Sequence, residues 1–568
     1  MSQSRTPTSR NQLTSLLTIV VATTVLLAFS LALYARWQPS GASLPKNIIS
    51  NSVPFKLDPS RHSSRGPATL TYHWRISSDE RRPDGVLKRV FLINEEFPGP
   101  TIEARPGDRL VVEVENALYE RNESVSIHWH GLRMFGHNSM DGAAGITQDP
   151  VPAGQNFTYD FTIADDQFGT FWYHAHSAVQ RADGLYGGLV VHEPSPQGAK
   201  STARPDEHLL MIGDWYHRTA EEVLAWYVNA DSFGMEPVPD SILINGDGRF
   251  RCADAVPARP LDCQTIEETL ASLHFDASRP SLLRLVNVGA YTAFSIGINH
   301  AHLRITTVDG GNKVDSSISD KISLLYPGER INVFLNDWAG VTPQLNITLP
   351  SERYRYSNPA LSSEQVFDIS LANQRQTQGA NTDLTARAIS LDLLKPSSAE
   401  SISPAETTLV LYTMTEKLAH LDYEPHGNIN RTIWQPQSPH LLSLHRSAWN
   451  DKQFIPRIPY RPMDPLWVDL VVNNLDEEDH PFHLHGHDFY VMSTFSSSTN
   501  WGSYNPFDGS TPPGGPYVRQ PLKKDTVAVP RRGYAVLRFR ADNPGVWMFH
   551  CHVIWHFASG MAMGFDVR

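Results

Sequence analysis

Cysteine is scarce in this sequence: only three of the 568 residues are cysteine, which excludes a disulfide-dense scaffold. An excess of basic residues is also absent, since there are 48 lysines and arginines against 60 aspartates and glutamates, for a net charge of −12. That charge balance argues against a protein that binds along the phosphate backbone of a nucleic acid, although a local basic patch is not excluded. Charged residues make up 19% and hydrophobic residues 40%, so the chain can bury a large core and global disorder is not expected.

One long apolar run lies at the amino terminus. Residues 11–35 contain no charged side chain, and Arg10 and Arg36 lie on either side of them. At about 1.5 Å per residue, a helix over residues 13–35 is long enough to cross the core of a bilayer. The run is longer than the apolar stretch of a cleaved signal peptide, and Leu33-Tyr34-Ala35 fits a cleavage site poorly. We therefore predict a tail over 1–12, a transmembrane signal anchor over 13–35 and a linker over 36–67.

Cleavage of that segment and secretion of the body is the alternative to an anchor. The flanking arginines leave the orientation of the helix open. Four N-x-S/T sequons follow, at Asn122, Asn156, Asn346 and Asn430. They indicate a glycoprotein whose body is lumenal or extracellular.

The body has the composition of a β protein. Its 41 prolines and 36 glycines suit strands and turns better than helices. Short runs such as Arg109–Glu115 and Trp467–Val472 are rich in apolar residues, and segments with glycine, proline or asparagine separate them. This pattern is typical of strands in a sandwich or barrel. Cys252 and Cys263 lie close together in the chain and predict a local disulfide, with free thiols as the alternative.

Internal similarity divides the body into repeats. Gly169–His176 aligns with Gly545–His552, and His128–Gly131 aligns with His483–Gly486. A third element, a Pro/Gly turn leading to a phenylalanine, occurs at Pro152–Phe161, Pro327–Phe334 and Pro530–Phe539. Three copies predict an all-β fold of three homologous β-sandwich domains, over 68–195, 205–378 and 405–568.

Histidine is both abundant and clustered. The sequence has 24 histidines, and ten of them fall into four short segments together with one cysteine. The segments are His128-Trp129-His130, His174-Ala175-His176, His480-Pro481-Phe482-His483-Leu484-His485, and His550-Cys551-His552 with His556. Side chains at i and i+2 of a strand point to the same face, so each His-x-His aims two imidazoles into one cavity. Four such pairs supply enough imidazoles for three metal ions.

The last segment predicts a second kind of site. On an extended chain Cys551 points away from its two histidine neighbours. With His480, His556 and Met561 it makes a His₂Cys set with a thioether nearby, the ligand set of a blue-copper electron-transfer centre. Zinc is the alternative metal, since imidazole suits it, but structural zinc favours more thiolates. The first domain has Ala175 at the position of Cys551, so it is predicted to have no mononuclear copper.

These segments resemble those of the multicopper oxidases, the family of laccases, ascorbate oxidases and ferroxidases, over residues 68–568. The resemblance implies cupredoxin-like Greek-key β-sandwich domains and four copper ions, one of type 1, one of type 2 and two of type 3. It implies the following ligands: His480, Cys551, His556 and axial Met561 for type 1; His128 and His483 for type 2; His130, His174 and His552 for one type 3 copper; His176, His485 and His550 for the other.

Two further positions bear on the chemistry that the resemblance implies. Asp141 matches a family carboxylate associated with proton delivery during O₂ reduction, and a turn residue is its alternative role. Ile554 stands where many laccases and ferroxidases have an acid, so a carboxylate relay from that position is absent. Met561 in the axial position suggests a type 1 potential suited to easily oxidised donors.

The family resemblance favours a laccase-like oxidase that couples oxidation of a small phenol, such as an aromatic polyketide in a pigment or toxin pathway, to reduction of O₂. We expect a monomer without a nucleic-acid partner. A membrane-anchored ferroxidase is the alternative, but it needs carboxylates beside the type 1 site to hold a hard cation. The acidic run Asp476–Asp479 and Asp488 lie near His480 in sequence and are interpreted as solvated residues. A non-enzymatic copper store or carrier would leave the paired histidines unexplained.

Overall fold

The computed structural model describes residues 56–195, 204–266, 273–299, 301–338, 343–373, 388–450, 452–499 and 502–568. The predicted tail over 1–12, the anchor over 13–35 and the linker up to residue 55 lie outside these ranges. Among the described residues, none of the helices has the length and apolar character needed to cross a bilayer. The last part of the predicted linker packs on the body: Leu57 is buried, helix α1 spans Pro59–Ser63, and Arg65 pairs with Asp108.

The first group of strands forms two four-stranded sheets with the orders β2-β1-β4-β6 and β3-β8-β7-β5. Strand β4 alternates buried and exposed positions as its sequence predicts, and it pairs in parallel with β1. The strands are β1 Thr69–Arg81, β2 Lys88–Ile93, β3 Gly99–Ala104, β4 Arg109–Asn116, β5 Ile127–His130, β6 Asn156–Thr162, β7 Gly169–Ala175 and β8 Tyr186–Val191.

The second group forms an eight-stranded sheet, β11-β10-β9-β13-β18-β15-β16-β21, and a five-stranded sheet, β12-β20-β19-β14-β17. Its last strand, β21, pairs with β16, since Val314 and Asp315 are the partners of Pro396 and Lys395. The sheet of the second domain therefore continues beyond residue 378, the predicted end of that domain. The strands are β9 Asp206–Trp215, β10 Ser241–Ile244, β11 Asp247–Gly248, β12 Leu273–Asp276, β13 Ser281–Asn287, β14 Phe294–Ile298, β15 Ala301–Val308, β16 Asn312–Asp315, β17 Lys321–Leu325, β18 Arg330–Trp338, β19 Gln344–Thr348, β20 Glu364–Ala372 and β21 Lys395–Pro396.

The third group forms a six-stranded sheet, β23-β22-β25-β30-β27-β28, and a five-stranded sheet, β24-β32-β31-β26-β29. The strands are β22 Thr407–Lys417, β23 Pro425–Ile429, β24 Arg457–Ile458, β25 Trp467–Asn474, β26 His480–Leu484, β27 Phe489–Phe495, β28 Lys523–Lys524, β29 Thr526–Val529, β30 Tyr534–Arg540, β31 Gly545–Cys551 and β32 Ala562–Val567.

Helices are short and connect the strands. Helix α2, Ala220–Tyr227, begins with a capping box made by Thr219 and Glu222, and α3 spans Ile554–Ala558. Single 3₁₀ turns are found at Asn138–Met140, Gln180–Asp183, Ala230–Ser232, Cys252–Asp254, Ser351–Arg353, Leu391–Leu393, Ala419–Leu421, Leu441–Ser443, Arg446–Ala448 and Pro506–Asp508. The predicted disulfide between Cys252 and Cys263 is confirmed.

One apolar core joins the first and the last groups of strands. It runs from Trp74 and Trp129 to Phe482, Trp547 and Phe565, all of them buried. This shared core holds β5 and β7 beside β26 and β31, and these four strands carry the paired histidines. The fold thus brings together segments that are more than 350 positions apart in the chain.

Candidate metal centres

The strand register places the histidine pairs side by side. His128 on β5 is the partner of His174 on β7, and His483 on β26 is the partner of His550 on β31. Alternate residues of a strand share a face, so each pair points into the space between the first and last groups of strands.

Eight buried imidazoles meet in this space. Three sets of three have ligand nitrogens that all lie within 4.8 Å of one another: His128, His130 and His483; His130, His174 and His552; His176, His485 and His550. Each set takes histidines from both the first and the last group of strands. The structure therefore brings together all eight paired histidines that the sequence singles out for the cluster.

Hydrogen bonds at the second ring nitrogen fix the orientation of most of these rings. Five of them have Nδ1 next to an oxygen: His128 at 2.8 Å from the Asp141 carbonyl, His174 at 3.0 Å from Ala175 O, His483 at 2.9 Å from Asp525 O, His485 at 2.8 Å from Asp141 Oδ2, and His550 at 2.9 Å from Cys551 O. Nδ1–H donates in these bonds, so Nε2 keeps its lone pair. His128 and His483 then face each other across 3.4 Å through Nε2.

His130 has the opposite orientation. Its Nε2 lies 3.1 Å from Thr526 Oγ1, and its buried Nδ1 has no hydrogen-bond partner. Nε2 of His174 and both ring nitrogens of His176 are also buried without a partner. A buried polar atom left unpaired is costly, and a metal ion bound by these lone pairs removes that cost. Burial, with neighbouring charges, holds the pKa of His130, His174 and His176 well below the ordinary histidine value, which keeps the rings neutral as metal ligation requires.

The second centre is built around Cys551. Its Sγ lies 3.7 Å from Nδ1 of His480 and 3.6 Å from Nδ1 of His556, and the two nitrogens are 3.1 Å apart. Burial raises the pKa of the thiol, but hydrogen bonds with both histidines outweigh it and lower this pKa to about 7. Met561 is fully buried, and its backbone pairs with Cys551 and His556. A thiolate and two imidazoles form the trigonal donor set that copper accepts in electron-transfer sites.

Two carboxylates touch the far side of these histidines. Asp476 Oδ2 lies 3.0 Å from His480 Nε2, and Glu236 Oε1 lies 3.3 Å from His556 Nε2. The interpretation of the acidic run as solvated is therefore wrong for Asp476, Glu478 and Asp479, whose side chains are 18%, 17% and 13% exposed. It is also wrong for Asp488, whose side chain is 20% exposed, and it holds for Glu477. The position of Asp476 four residues before His480 could have predicted this contact from the sequence. Glu236 belongs to the second group of strands, and no sequence motif predicts its contact with His556.

Asp141 lies inside the cluster and not only in a turn. Its main-chain carbonyl and Oδ2 accept from His128 and His485, and its Oδ1 lies 3.3 Å from His128 Nδ1. Burial opposes ionisation, but the two imidazoles outweigh it and lower the pKa of this carboxyl. The sequence also gave no sign of Arg181, whose guanidinium lies 2.6 Å from His552 Nδ1 and donates to His552 O.

Three family models described as multicopper oxidase match the chain, over residues 75–196, 206–339 and 428–568. The chain is 33% identical over 520 residues to the iron transport multicopper oxidase fetC of Epichloe festucae, covering 88% of this chain and 76% of that protein. It is 29% identical to Laccase-2 of Cryptococcus neoformans var. grubii, covering 91% and 89% of the two chains. The crystal structure of a laccase from Botrytis aclada matches with a TM-score of 0.72 at 26% identity, over 89% of this chain and 88% of that one.

Proposed function

Because the chain belongs to the multicopper oxidase family, copper-dependent oxidoreductases that use O₂, we propose that it is a laccase-like oxidase of small phenolic donors. The all-β cupredoxin-like fold and the histidine clusters are compatible with four copper ions. Copper bound at these sites would accept one electron at a time at the mononuclear centre and would reduce O₂ to water with four electrons at the cluster.

We assign the ligands from the geometry of the side chains. A mononuclear copper would be held by His480, Cys551 and His556, with the Met561 thioether as the further donor that the family resemblance implies. The cluster ions would be held by His128 with His483, by His130 with His174 and His552, and by His176 with His485 and His550. Cys551 lies between His550 and His552 in the chain, so it connects the two centres covalently. The domain ranges 68–195, 205–378 and 405–568 are proposed from the internal repeats, with the second range extended by β21, which pairs with β16 of that domain.

The observation that carries the phenol proposal is the carboxylate at the edge of the mononuclear centre. Glu236 Oε1 lies 3.3 Å from His556 Nε2, and the side chain is 7% exposed. A phenol that loses one electron becomes a strong acid and must give up its hydroxyl proton. Glu236 would accept that proton at a carboxylate oxygen, as a general base next to the His556 ring of the mononuclear centre.

Nearby cations make this environment less suited to a free divalent ion. Arg355 Nε lies 3.9 Å from Glu478 Oε1, and the charge of Arg355 also acts on Glu236. Lys417 lies against Gly234, two residues before Glu236, and its charge acts on Glu236 and Asp476. The negative charge of the carboxylates at this edge is thus partly neutralised by Arg355 and Lys417, which favours a neutral organic donor over a divalent cation.

A ferroxidase is the second candidate, and a specific observation favours it. Two carboxylates, Glu236 and Asp476, contact the two histidines of the mononuclear centre, and Fe(II) prefers oxygen ligands. The sequence alone did not place such a pair. The similarity to an iron transport oxidase supports the same alternative.

Oxygen uptake by the purified, copper-loaded full chain tests the choice. Fe(II) and a panel of naphthols and diphenols are compared at matched concentrations. The phenol proposal expects a phenol preference of at least tenfold in kcat/KM, about 1.4 kcal/mol in transition-state stabilisation. The opposite preference would establish the ferroxidase.

Variants locate the donor site. Glu236→Gln is expected to lower kcat/KM for phenols by about 100-fold through loss of the general base, while Asp476→Asn lowers it less. Under the ferroxidase alternative both substitutions lower Fe(II) turnover together. Glu477→Gln is the matched control, since Glu477 belongs to the same acidic run but is exposed and pairs with Arg532.

Location and donor identity complete the proposal. We propose that residues 13–35 anchor a monomeric, glycosylated enzyme with its body outside the cytosol, and that its donor is a pigment or toxin precursor. The apolar run supports the anchor, and the exposure of Asn122 and Asn156 supports glycosylation. Alkaline extraction of membranes and a glycosidase mobility shift test the two features.

A further inference from the structure

The turn over Pro327–Arg330 is the copy of the repeated Pro/Gly turn that belongs to the second group of strands, the group without paired histidines. Gly328 has φ of +88°, and a Cβ there would lie 3.0 Å from His552 Cγ and 3.1 Å from His130 Cε1. Such separations are shorter than ordinary carbon contacts of about 3.5–4.0 Å. The backbone of this turn therefore lies directly against two rings of the cluster.

Neither ring is free to move away from the turn. His130 stacks on His483 with ring centroids 3.7 Å apart. The backbone and ring of His552 are both held by Arg181. A methyl group at position 328 would have to displace a ring that is already in contact with another group, at a backbone conformation that disfavours any residue with a Cβ.

Arg330 reaches the cluster from the same turn. It is fully buried, and its Nη1 and Nη2 donate to Asp525 Oδ1 and Oδ2 at 2.5 and 2.6 Å. Its Nε donates to the Thr170 carbonyl and its backbone N–H to Asp309. A bidentate pair of this kind fixes the plane of the carboxylate.

Asp525 transmits that orientation to the imidazoles. Thr526 Oγ1 donates to Asp525 Oδ1 at 2.8 Å and lies 3.1 Å from both His130 Nε2 and His483 Nδ1. The Asp525 carbonyl lies 2.9 Å from the same nitrogen of His483. Arg330, Asp525 and Thr526 thus form one continuous chain of hydrogen bonds that ends on two cluster histidines.

We propose that Gly328 and Arg330 are positioning residues of the copper cluster, supplied by the part of the chain that contributes no ligand. Gly328 sets how closely the His130 and His552 rings approach the metal positions. Arg330 sets the orientation of His130 and His483 through Asp525. This inference concerns the cluster and does not depend on whether the donor is a phenol or Fe(II).

The test compares Gly328→Ala, Arg330→Met and Arg330→Lys in the copper-loaded full chain. The readouts are copper content after dialysis against a graded chelator, the electron paramagnetic resonance signal of type 2 copper, and the visible absorption of the Cys551 centre. We expect a 10- to 100-fold loss of cluster copper affinity for Gly328→Ala and Arg330→Met, as for other groups that orient metal ligands, and an altered type 2 signal. Arg330→Lys is expected to recover part of the loss, and the absorption of the Cys551 centre is retained.

Matched controls separate this role from general stability. Gly154 belongs to the same repeated turn, with φ of +77°, but it meets the ring of Tyr119. Arg284 is buried on β13 beside β18, and it binds Glu207 and Thr170. Gly154→Ala and Arg284→Met should leave the type 2 signal and copper content unchanged. The proposal is overturned if Gly328→Ala and Arg330→Met keep the wild-type copper content and type 2 signal. It is also overturned if these variants lose the copper of the Cys551 centre and the cluster copper to the same extent, as a general loss of stability would cause.

Discussion

Asp141 offers a sharp test of how the cluster is held. Its two oxygens and its main-chain carbonyl contact His128 and His485, which belong to different ligand sets. The next residue, Gly142, has φ of +82°, and a Cβ there would lie 1.8 Å from the Ile127 carbonyl. The turn therefore packs closely against β5, where Asp141 contacts both rings.

We expect Asp141→Asn to weaken the cluster, since the amide presents a donor where one imidazole N–H now finds an acceptor. His128 keeps its bond to the main-chain carbonyl, so the larger loss falls on His485. Groups that orient ligands contribute about 10- to 100-fold in metal affinity, which equals about 1.4–2.7 kcal/mol. We predict a tenfold loss for Asp141→Asn and a loss nearer 100-fold for Asp141→Ala.

Copper retention in graded chelator is the assay, with kcat for a fixed donor measured on the same samples. Asp84→Asn is the control, because Asp84 is also buried and bound to a histidine, His217, away from the cluster. If Asp141→Asn keeps all its copper and loses only the rate of O₂ reduction, the carboxyl acts as a proton donor and the positioning argument is refuted. Full activity in Asp141→Ala would refute both roles.

Three further predictions concern other parts of the molecule. Cys551→Ser should abolish the intense visible absorption and donor oxidation while cluster copper is retained, as copper analysis and absorption spectroscopy would show; turnover in this variant would contradict the assigned electron entry. Replacing Cys252 and Cys263 by serine should reduce stability by about 3 kcal/mol through loss of loop closure, seen as a lower Tm with unchanged copper content. His208 is buried, which lowers its pKa to about 4; because the folded-state pKa lies below the unfolded value, stability falls as pH drops below about 6.5, by about 2 kcal/mol at pH 5. His208→Leu should therefore show a shallower decline of Tm between pH 7 and 4, and an unchanged decline would count against this account.

Strand periodicity was enough to predict that the two histidines of each His-x-His motif point to the same side of their strand. The two-residue repeat puts His128 and His130 on one face and separates Cys551 from His550 and His552. These relationships are local, so they can be obtained from the sequence alone. The disulfide between Cys252 and Cys263 was predictable for the same reason.

The groups around the ligands could not be predicted in the same way. Arg330 and Asp525 are 195 positions apart, and Glu236 and His556 are 320 apart. No periodic pattern relates such residues, because their contact depends on how the groups of strands pack. The acidic run illustrates the difficulty. Its charge predicts exposure to solvent, yet Asp476 is half-buried, because its carboxylate accepts hydrogen bonds from the His480 ring and from the Thr415 N–H.

Because the ligands come from two groups of strands, metal binding depends on the folded structure. Each cluster set combines histidines from β5 or from the end of β7 with histidines from β26 or from the end of β31. Neither group of strands alone can complete any set, and the turn at Gly328 closes the site from the second group. In an unfolded chain these ligands are far apart, so copper binds the assembled state and stabilises it by mass action. The unpartnered nitrogens of His130, His174 and His176 indicate where that stabilisation arises. Burying them without a hydrogen bond lowers the stability of the folded chain, and ligation of copper by the same nitrogens offsets that loss.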